Sequence, residues 1–456
     1  MADTELFVFA HLQDGFVPAG RLQLTENNSE VQASLFQYGT RYLLRRGAFE
    51  VDPVSLSLAQ ARDEKGYAFF PVNELPQFGG IRDAAPDAWG RRVIEAYRKV
   101  PANSLPESVY LLEAGSDRVG ALDVRRSRDD GPSKGVGSVH SLQYLLEAVE
   151  RIERGEPVPS RLTDLLGSGP GAGGARPKAS VRDDQGLLWL AKFPSVSDSF
   201  DNAHAECATL ELARRCGLTV PAVRVEMLGN RPCLLIRRFD RYWVSQGNTL
   251  EVGAVPFETR PGEDRVEHRL PFVSSLTLVG CDEMESRNKG YADIAAAMRR
   301  YVAPSVIRDN SRELFARMVF NILVSNDDDH LRNHGFLRDP GLDGWRLSPL
   351  YDVVPRPGIA TERFLHLQVG KQGKLATLDN ALSRYAEFNL NLTDATATVA
   401  HMVHQVALWK PVFEELKIPG PLIDVLAPAF RNLDEIAGDG LKKALLKQPK
   451  SKLRRT

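Results

Sequence analysis

Residues 325–336 read SNDDDHLRNHGF, with three consecutive aspartates followed by His330 and Asn333. Adjacent like charges repel, so the run implies a positive partner or full solvation. Three occupants fit: a divalent metal, a metal–phosphate complex, or water alone. The stretch follows SRELFARMVFNILVS, apolar enough to be a buried helix entering the acidic turn. It precedes GF, a DPGLDG turn and WRLSPLYDVV, which read as two short strands closing a loop. Such a loop returns Asp352 to the neighbourhood of Asn333. An amide oxygen and a carboxylate are hard ligands of the kind Mg²⁺ takes when it bridges nucleotide phosphates. Asp328 is then left to orient an attacking hydroxyl and accept its proton. Taken alone, the stretch fits a helix cap and a solvated acidic loop equally well.

Upstream segments break that tie. The glycine-rich GSGPGAGGARPK, residues 167–178, lets backbone approach a ligand and present N–H groups to phosphate oxygens. It lacks the G-K-[ST] of a Walker A loop, and a flexible linker fits it as well. Lys192 ends the apolar strand LLWLAKF, where it either snorkels to the surface or holds phosphates under the glycine loop. Glu206, on the helix NAHAECATLELARRCGL, is suited to orient that lysine. In chain order the parts are a glycine loop, a strand lysine, a helix glutamate, a candidate base, an asparagine and a metal-binding aspartate. Protein kinases carry their parts in that order. The joint order favours the kinase reading over the bland one at each position.

At 456 residues, with 43% hydrophobic and 26% charged residues, the chain reads as an ordinary globular protein of two or three domains. A net charge of -1 supplies no global pull toward nucleic acid or acidic membranes. Cys207, Cys216, Cys233 and Cys281 form no C-x-x-C pair, which argues against a zinc ribbon or redox motif. The opening MADTELFVFAHLQDG meets acids too early for a signal peptide, and no apolar run is long enough for a bilayer. A cytoplasmic location is the expectation. ELFVFAHL, AGRLQLT and YLLRR alternate like antiparallel strands. GGIRDAAPDAWGRRVIEAYRKV turns helical, with Trp89, Val93, Ile94 and Tyr97 on one side. Hairpins are expected around DDQG and GN, and helical patterns dominate beyond about residue 270. The chain divides into a β-rich subdomain at 1–110, a nucleotide-binding lobe at 111–240, a helical catalytic lobe at 241–440 and a basic tail at 441–456. That tail is either a frayed terminus or a patch for an acidic partner.

At GGARPKA, LAKFPS, NAHAECATLELARRCGL, RRFDRYW, NDDDHLRNHGF and LSPLYDVVP the sequence resembles the HipA family of bacterial serine/threonine kinases, toxins of HipBA-type toxin–antitoxin systems. The matches run in family order through most of residues 165–355, and IRDAAPDAWGRR looks like the family's leading subdomain. The resemblance implies an α+β, protein-kinase-like two-lobed fold, with a mixed α/β N-terminal half, a mostly helical C-terminal half and ATP–Mg²⁺ in the cleft. It assigns Asp328 as proton acceptor, Asn333 and Asp352 as metal ligands, and Lys192 as the phosphate-binding lysine. Gly173, Gly174, Ala175, Arg176, Pro177 and Lys178 match the phosphate-covering loop. Arg237, Arg238 and Phe239 match the hinge that meets adenine through its backbone, so a change of side chain there is tolerable. His330, Leu331, Arg332, Tyr351, Val353 and Val354 flank the metal residues in the nucleotide site, with no chemistry assigned to His330.

By the same resemblance, the γ-phosphate of ATP passes to serine or threonine of a protein. Family precedent is an aminoacyl-tRNA synthetase, whose modification inhibits translation. The implied partner is a small HipB-like helix-turn-helix antitoxin and, through it, operator DNA. There is one departure. The family's kinases phosphorylate a serine of their own glycine loop, but Gly171 stands at that position, leaving Ser168 as the candidate for autophosphorylation. Two rivals stay open. One is a Mg²⁺-dependent nuclease or hydrolase that activates water with Asp327, Asp328 and Asp329. The other is a non-catalytic, DNA-associated corepressor acting with an antitoxin.

Overall fold

The alternation in ELFVFAHL is realised as a strand. The computed structural model describes residues 2–133, 137–159, 174–251, 254–342 and 344–447. Its first strand, β1 (Ala2–Leu12), turns Leu6, Val8, Ala10 and Leu12 into one core. β2 (Gly15–Asn27) buries Val17 and Ala19, then Leu22 and Leu24, in the same core. A change of parity along one strand needs an extra residue. The register supplies it, for Val8 faces Gly20 while Phe9 faces Pro18. β3 (Glu30–Tyr38) completes the meander and β4 (Leu122–Arg125) pairs with β1, giving the order β3-β2-β1-β4. YLLRR, expected as a strand, instead begins inside a helical turn, Thr40–Leu43. Tyr42 and Leu43 are successive and both buried, which one strand face cannot achieve.

A second sheet runs in the order β5-β6-β7-β9-β8. Its strands are β5 (Gly137–Ser138), β6 (Lys178–Arg182), β7 (Leu188–Lys192), β8 (Val223–Leu228) and β9 (Arg231–Arg237). The expected turns at DDQG and GN fall between β6 and β7 and between β8 and β9. On one face Val181, Trp189, Ala191 and Leu235 share a core with the helix Leu142–Glu153. That helix contributes Leu142, Leu145, Leu146, Val149 and Ile152, spaced to form one stripe. Trp89 and Val93 of the helix Ala88–Arg98 join them, whereas Tyr97 is exposed, one residue before that helix ends. β10 (Arg241–Ser245) and β11 (Arg265–Arg269) form a separate antiparallel ribbon.

The chain folds into two compact units, each assembled from three stretches of sequence. The first gathers Met1–Ser197, Met227–Cys281 and Phe336–Trp345; the second gathers Asp198–Glu226, Asp282–Gly335 and Arg346–Thr456. These units cut across the contiguous divisions read from the sequence. β9 pairs with β7, although most of the chain between them belongs to the second unit. That second unit is helical around Ile307–Val324, where Leu314, Phe315, Met318, Val319, Phe320 and Ile322 are all buried. Burial on every side marks a central helix, and the helices Tyr291–Tyr301 and Leu392–Val406 pack against it. Among the described residues no helix is long and apolar enough to cross a membrane. All four cysteines are free thiols.

Candidate active site

The central helix Ile307–Val324 ends on Ser325, whose φ of 53° is left-handed and turns the chain sharply out. The Ser325 hydroxyl donates to the Ala429 carbonyl at 2.7 Å and accepts from Arg363 at 2.6 Å. Beyond it the three aspartates part company. Asp329 is only 1% exposed. Its Oδ2 accepts from the Tyr291 hydroxyl at 2.5 Å and lies 2.9 Å from His334 Nε2. Burial alone would raise this carboxyl, but the charge of His334 and both hydrogen bonds hold it below the usual carboxylate range. Asp327 and Asp328 are exposed and share Arg356, at 3.1 Å and 3.0 Å. The three acids therefore do not converge on one cation. Among the described residues no group of three or more His, Cys, Asp or Glu could hold a metal. The nuclease reading, which needs these acids as one cluster, loses its geometry.

Leu331–Asn333 form one tight turn, with Leu331 and Asn333 buried. The Asn333 backbone N–H returns to the His330 carbonyl at 2.9 Å, and Nδ2 donates to the Asp328 carbonyl at 3.1 Å. With its nitrogen occupied within the loop, Oδ1 is the atom of this side chain suited to a cation. Strands form at Gly335–Arg338 and Trp345–Leu347, and the Ser348 N–H closes on the Gly335 carbonyl at 2.8 Å. Tyr351 Oη then donates to the Arg332 carbonyl at 2.7 Å. The residue before Asp352 is thus tied to the residue before Asn333, as the loop-closing strands imply. Asp352 itself is half-buried with a φ of 60°. A non-glycine residue holds that conformation at a cost of roughly 1–2 kcal/mol, which surrounding structure must over-determine. Val353 is buried beside it and Val354 half-buried. His330 meets His366 edge-on at 5.9 Å, and Arg332 pairs with Glu283.

In the first unit the glycine-rich segment is described from Gly174 onward; Gly173 and Ser168 lie outside the described residues, as does most of the basic tail. Gly174 has a φ of +106°, and a Cβ there would sit 3.2 Å from the Lys178 ammonium. Ala175 is exposed, Arg176 half-buried, and the Pro177 carbonyl accepts from the Phe193 N–H at 2.9 Å. Lys178 is expected to cover phosphates, but its ammonium lies 2.7 Å from Asp87 Oδ2 and 3.3 Å from the Gly174 carbonyl. A buried ammonium needs a carboxylate, and Asp87 provides one. Trp89 Nε1 adds a bond to the Lys178 carbonyl at 3.0 Å, so Lys178 anchors the loop. Lys192 stands directly opposite Lys178 in the β6–β7 register and is 8% exposed, buried and not snorkelling. Glu206 is buried on the helix Asn202–Arg215 of the second unit.

Both hinge arginines are engaged by side-chain hydrogen bonds. Arg238 is buried and donates to Asp240, to Ser180 and to the carbonyls of Asp117 and Arg118. Its backbone N–H bonds the Leu188 carbonyl at 2.9 Å. Burial would raise Asp240, yet Arg238 and Arg241 hold its carboxyl well below the usual range. Arg237 reaches the Thr259 carbonyl, and Phe239 is half-buried. Four further residues, Asp87 in the first unit and Tyr291, His334 and Arg356 in the second, make contacts that the motifs did not point to. His334 leaves a trace, standing five positions after Asp329 in the acidic stretch; a lone arginine after VVP leaves none.

Residues 171–409 match the family model described as HipA-like C-terminal domain. The chain is 25% identical over 197 residues to a Sinorhizobium fredii protein named "Putative kinase Y4mE", covering 42% of this chain and 40% of that protein. It thus spans well under half the length of that relative. It is also similar in structure to a Shewanella oneidensis MR-1 chain from the complex of toxin–antitoxin system HipA, HipB and its operator DNA. The TM-score is 0.57 at 15% identity, over 93% of this chain and 94% of that one. A Helicobacter pylori proinflammatory kinase, CtkA, gives a TM-score of 0.42 at 15% identity, over 61% and 94%. The fold is the α+β, HipA-like one that the sequence implies.

Proposed function

The chain belongs to the family of HipA-like C-terminal domains, and from that premise we propose that it is an ATP- and Mg²⁺-dependent kinase acting on serine or threonine of a protein. One observation carries the proposal. Asn333 is fastened to the Asp328 carbonyl while Tyr351 fastens the Asp352 segment to Arg332. Asn333 Oδ1 and the Asp352 carboxylate offer two hard oxygens, too few for an all-protein cage. Two suit an ion that keeps its waters and takes phosphate oxygens. Bound ATP–Mg²⁺ supplies the γ-phosphoryl group and neutralises the charge that builds on it. Asp328 accepts the proton of the substrate hydroxyl as that oxygen bonds to the γ-phosphorus and the bond to the β–γ bridging oxygen breaks, releasing ADP. Lys192 holds the phosphates. The backbone of Gly173, Gly174, Ala175 and Arg176 covers them, braced by Pro177 and Lys178. Arg237, Arg238 and Phe239 border the adenine, and His330, Leu331, Arg332, Tyr351, Val353 and Val354 shape the rest.

Such a kinase works in the cytoplasm. The Shewanella complex, which holds HipA, HipB and operator DNA, supports a HipB-like antitoxin and, through it, operator DNA as partners. Family precedent supports an aminoacyl-tRNA synthetase as substrate; Ser168 is the candidate for self-modification, three residues before the position the family uses, where Gly171 stands. The test is Asp328→Ala with labelled ATP and cell lysate. Its side chain is 61% exposed, so stability should change by no more than about 0.5 kcal/mol. Transfer should fall roughly 10²–10⁴-fold. Transfer at the wild-type rate would overturn the assignment.

A further inference from the structure

We propose that the first unit carries a second ligand site, a cationic cavity that binds a compact phosphate compound. The cavity has a volume of about 230 Å³. Three arginines, Arg46, Arg269 and Arg338, give the lining its charge; His11 and His268 stand beside them, no aspartate or glutamate is present, and Tyr242 adds an aromatic wall. None of these residues belongs to the glycine loop, the hinge or the catalytic loop. The three arginines come from separate segments of chain, so they can meet a tetrahedral anion, whose oxygens point in several directions. The volume lies below the roughly 300–1,000 Å³ of drug-sized pockets, which selects a phosphate bearing few further atoms.

Charge balance under the cavity points the same way. Arg182, Arg238, Arg241 and Arg269 share one network with Asp117, Asp240 and Glu267, four cations against three anions. Burial, then the field of Arg241, push the Arg269 guanidinium down to about 9. Glu50 is the acid whose charge is felt from Arg338, and Arg46 is exposed. Neither arginine is in an ion pair among the described residues. His268 is 8% exposed, and its Nδ1, like that of His11, is buried without a hydrogen-bond partner. The two rings meet edge-on at 6.2 Å, and Tyr242 stacks on His268 at 5.2 Å. Buried polar atoms left without partners call for a ligand or water that completes them.

The test is calorimetric titration of the full chain with inorganic phosphate at constant ionic strength, beside Arg46→Ala and Arg338→Ala. Saturable binding to wild type, weakened on the order of tenfold or more in each variant, supports the site. Equal unfolding midpoints would establish that the variants fold. An NMR titration adds a local readout, since the His11 and His268 imidazole signals should move with saturation in wild type and stay still in the variants. Absent saturation, or equal affinity in wild type and variants, overturns the proposal. A phosphoserine pentapeptide that binds tighter than inorganic phosphate or glycerol phosphate would overturn the compact-ligand assignment.

Discussion

Asp327 and Asp329 stand two positions apart, yet the cost of losing each differs. Asp329 is buried against His334 and Tyr291, so Asp329→Ala leaves an imidazole and a phenol without their acceptor. That should cost about 3–5 kcal/mol. Asp327 is exposed beside Arg356, and Asp327→Ala should change stability by no more than about 0.5 kcal/mol. Urea denaturation of both variants checks the contrast. The stretch NDDDH shows that acids are gathered there, but not which one is buried. His11 supplies a pH test. Burial, then Arg269, Arg241 and His268, lower its imidazole to about 3. Between that value and an unfolded value of about 6.5, the unfolded chain holds a proton that the folded chain lacks. Stability should therefore fall as pH drops from about 6.5 toward 3 in phosphate-free buffer. His11→Asn should flatten that part of the curve.

At the scale of elements, the two hairpins were legible because turns carrying Asp, Asn and Gly between alternating runs act locally. What holds the first hairpin to the helix Ala88–Arg98 was not. Asp87 caps that helix through the Gly90 N–H at 2.8 Å and also pairs with Lys178. Lys178→Met should cost about 3–5 kcal/mol, because it strands a buried carboxylate. Adding Asp87→Asn keeps a good cap and removes the stranded charge, so the double variant should be more stable than Lys178→Met alone. Chemical denaturation of the three variants measures the coupling. YLLRR misled for a related reason: a short apolar run fits a strand or a helical turn, and only the burial of adjacent residues separates them.

For the whole molecule, the interleaved units predict how fragments behave. Residues 1–197 lack β9, the partner of β7, and lack Arg238, Arg241 and Arg269, which neutralise the buried Asp117. That fragment should show no cooperative unfolding transition by circular dichroism, whereas the full chain should. The sequence by itself determined the order of motifs, the hairpins, the central helix and the kinase-like set of side chains, since these rest on spacing and turn chemistry over a few positions. Only the tertiary structure decided that Lys178 pairs with Asp87, that Asp329 is buried, and that His11 and His268 line a cavity. Their partners lie far along the chain: Asp87 is 91 positions from Lys178, and Tyr291 is 38 from Asp329. Residue spacing carries no information about such contacts, because they exist only once burial has brought the segments together.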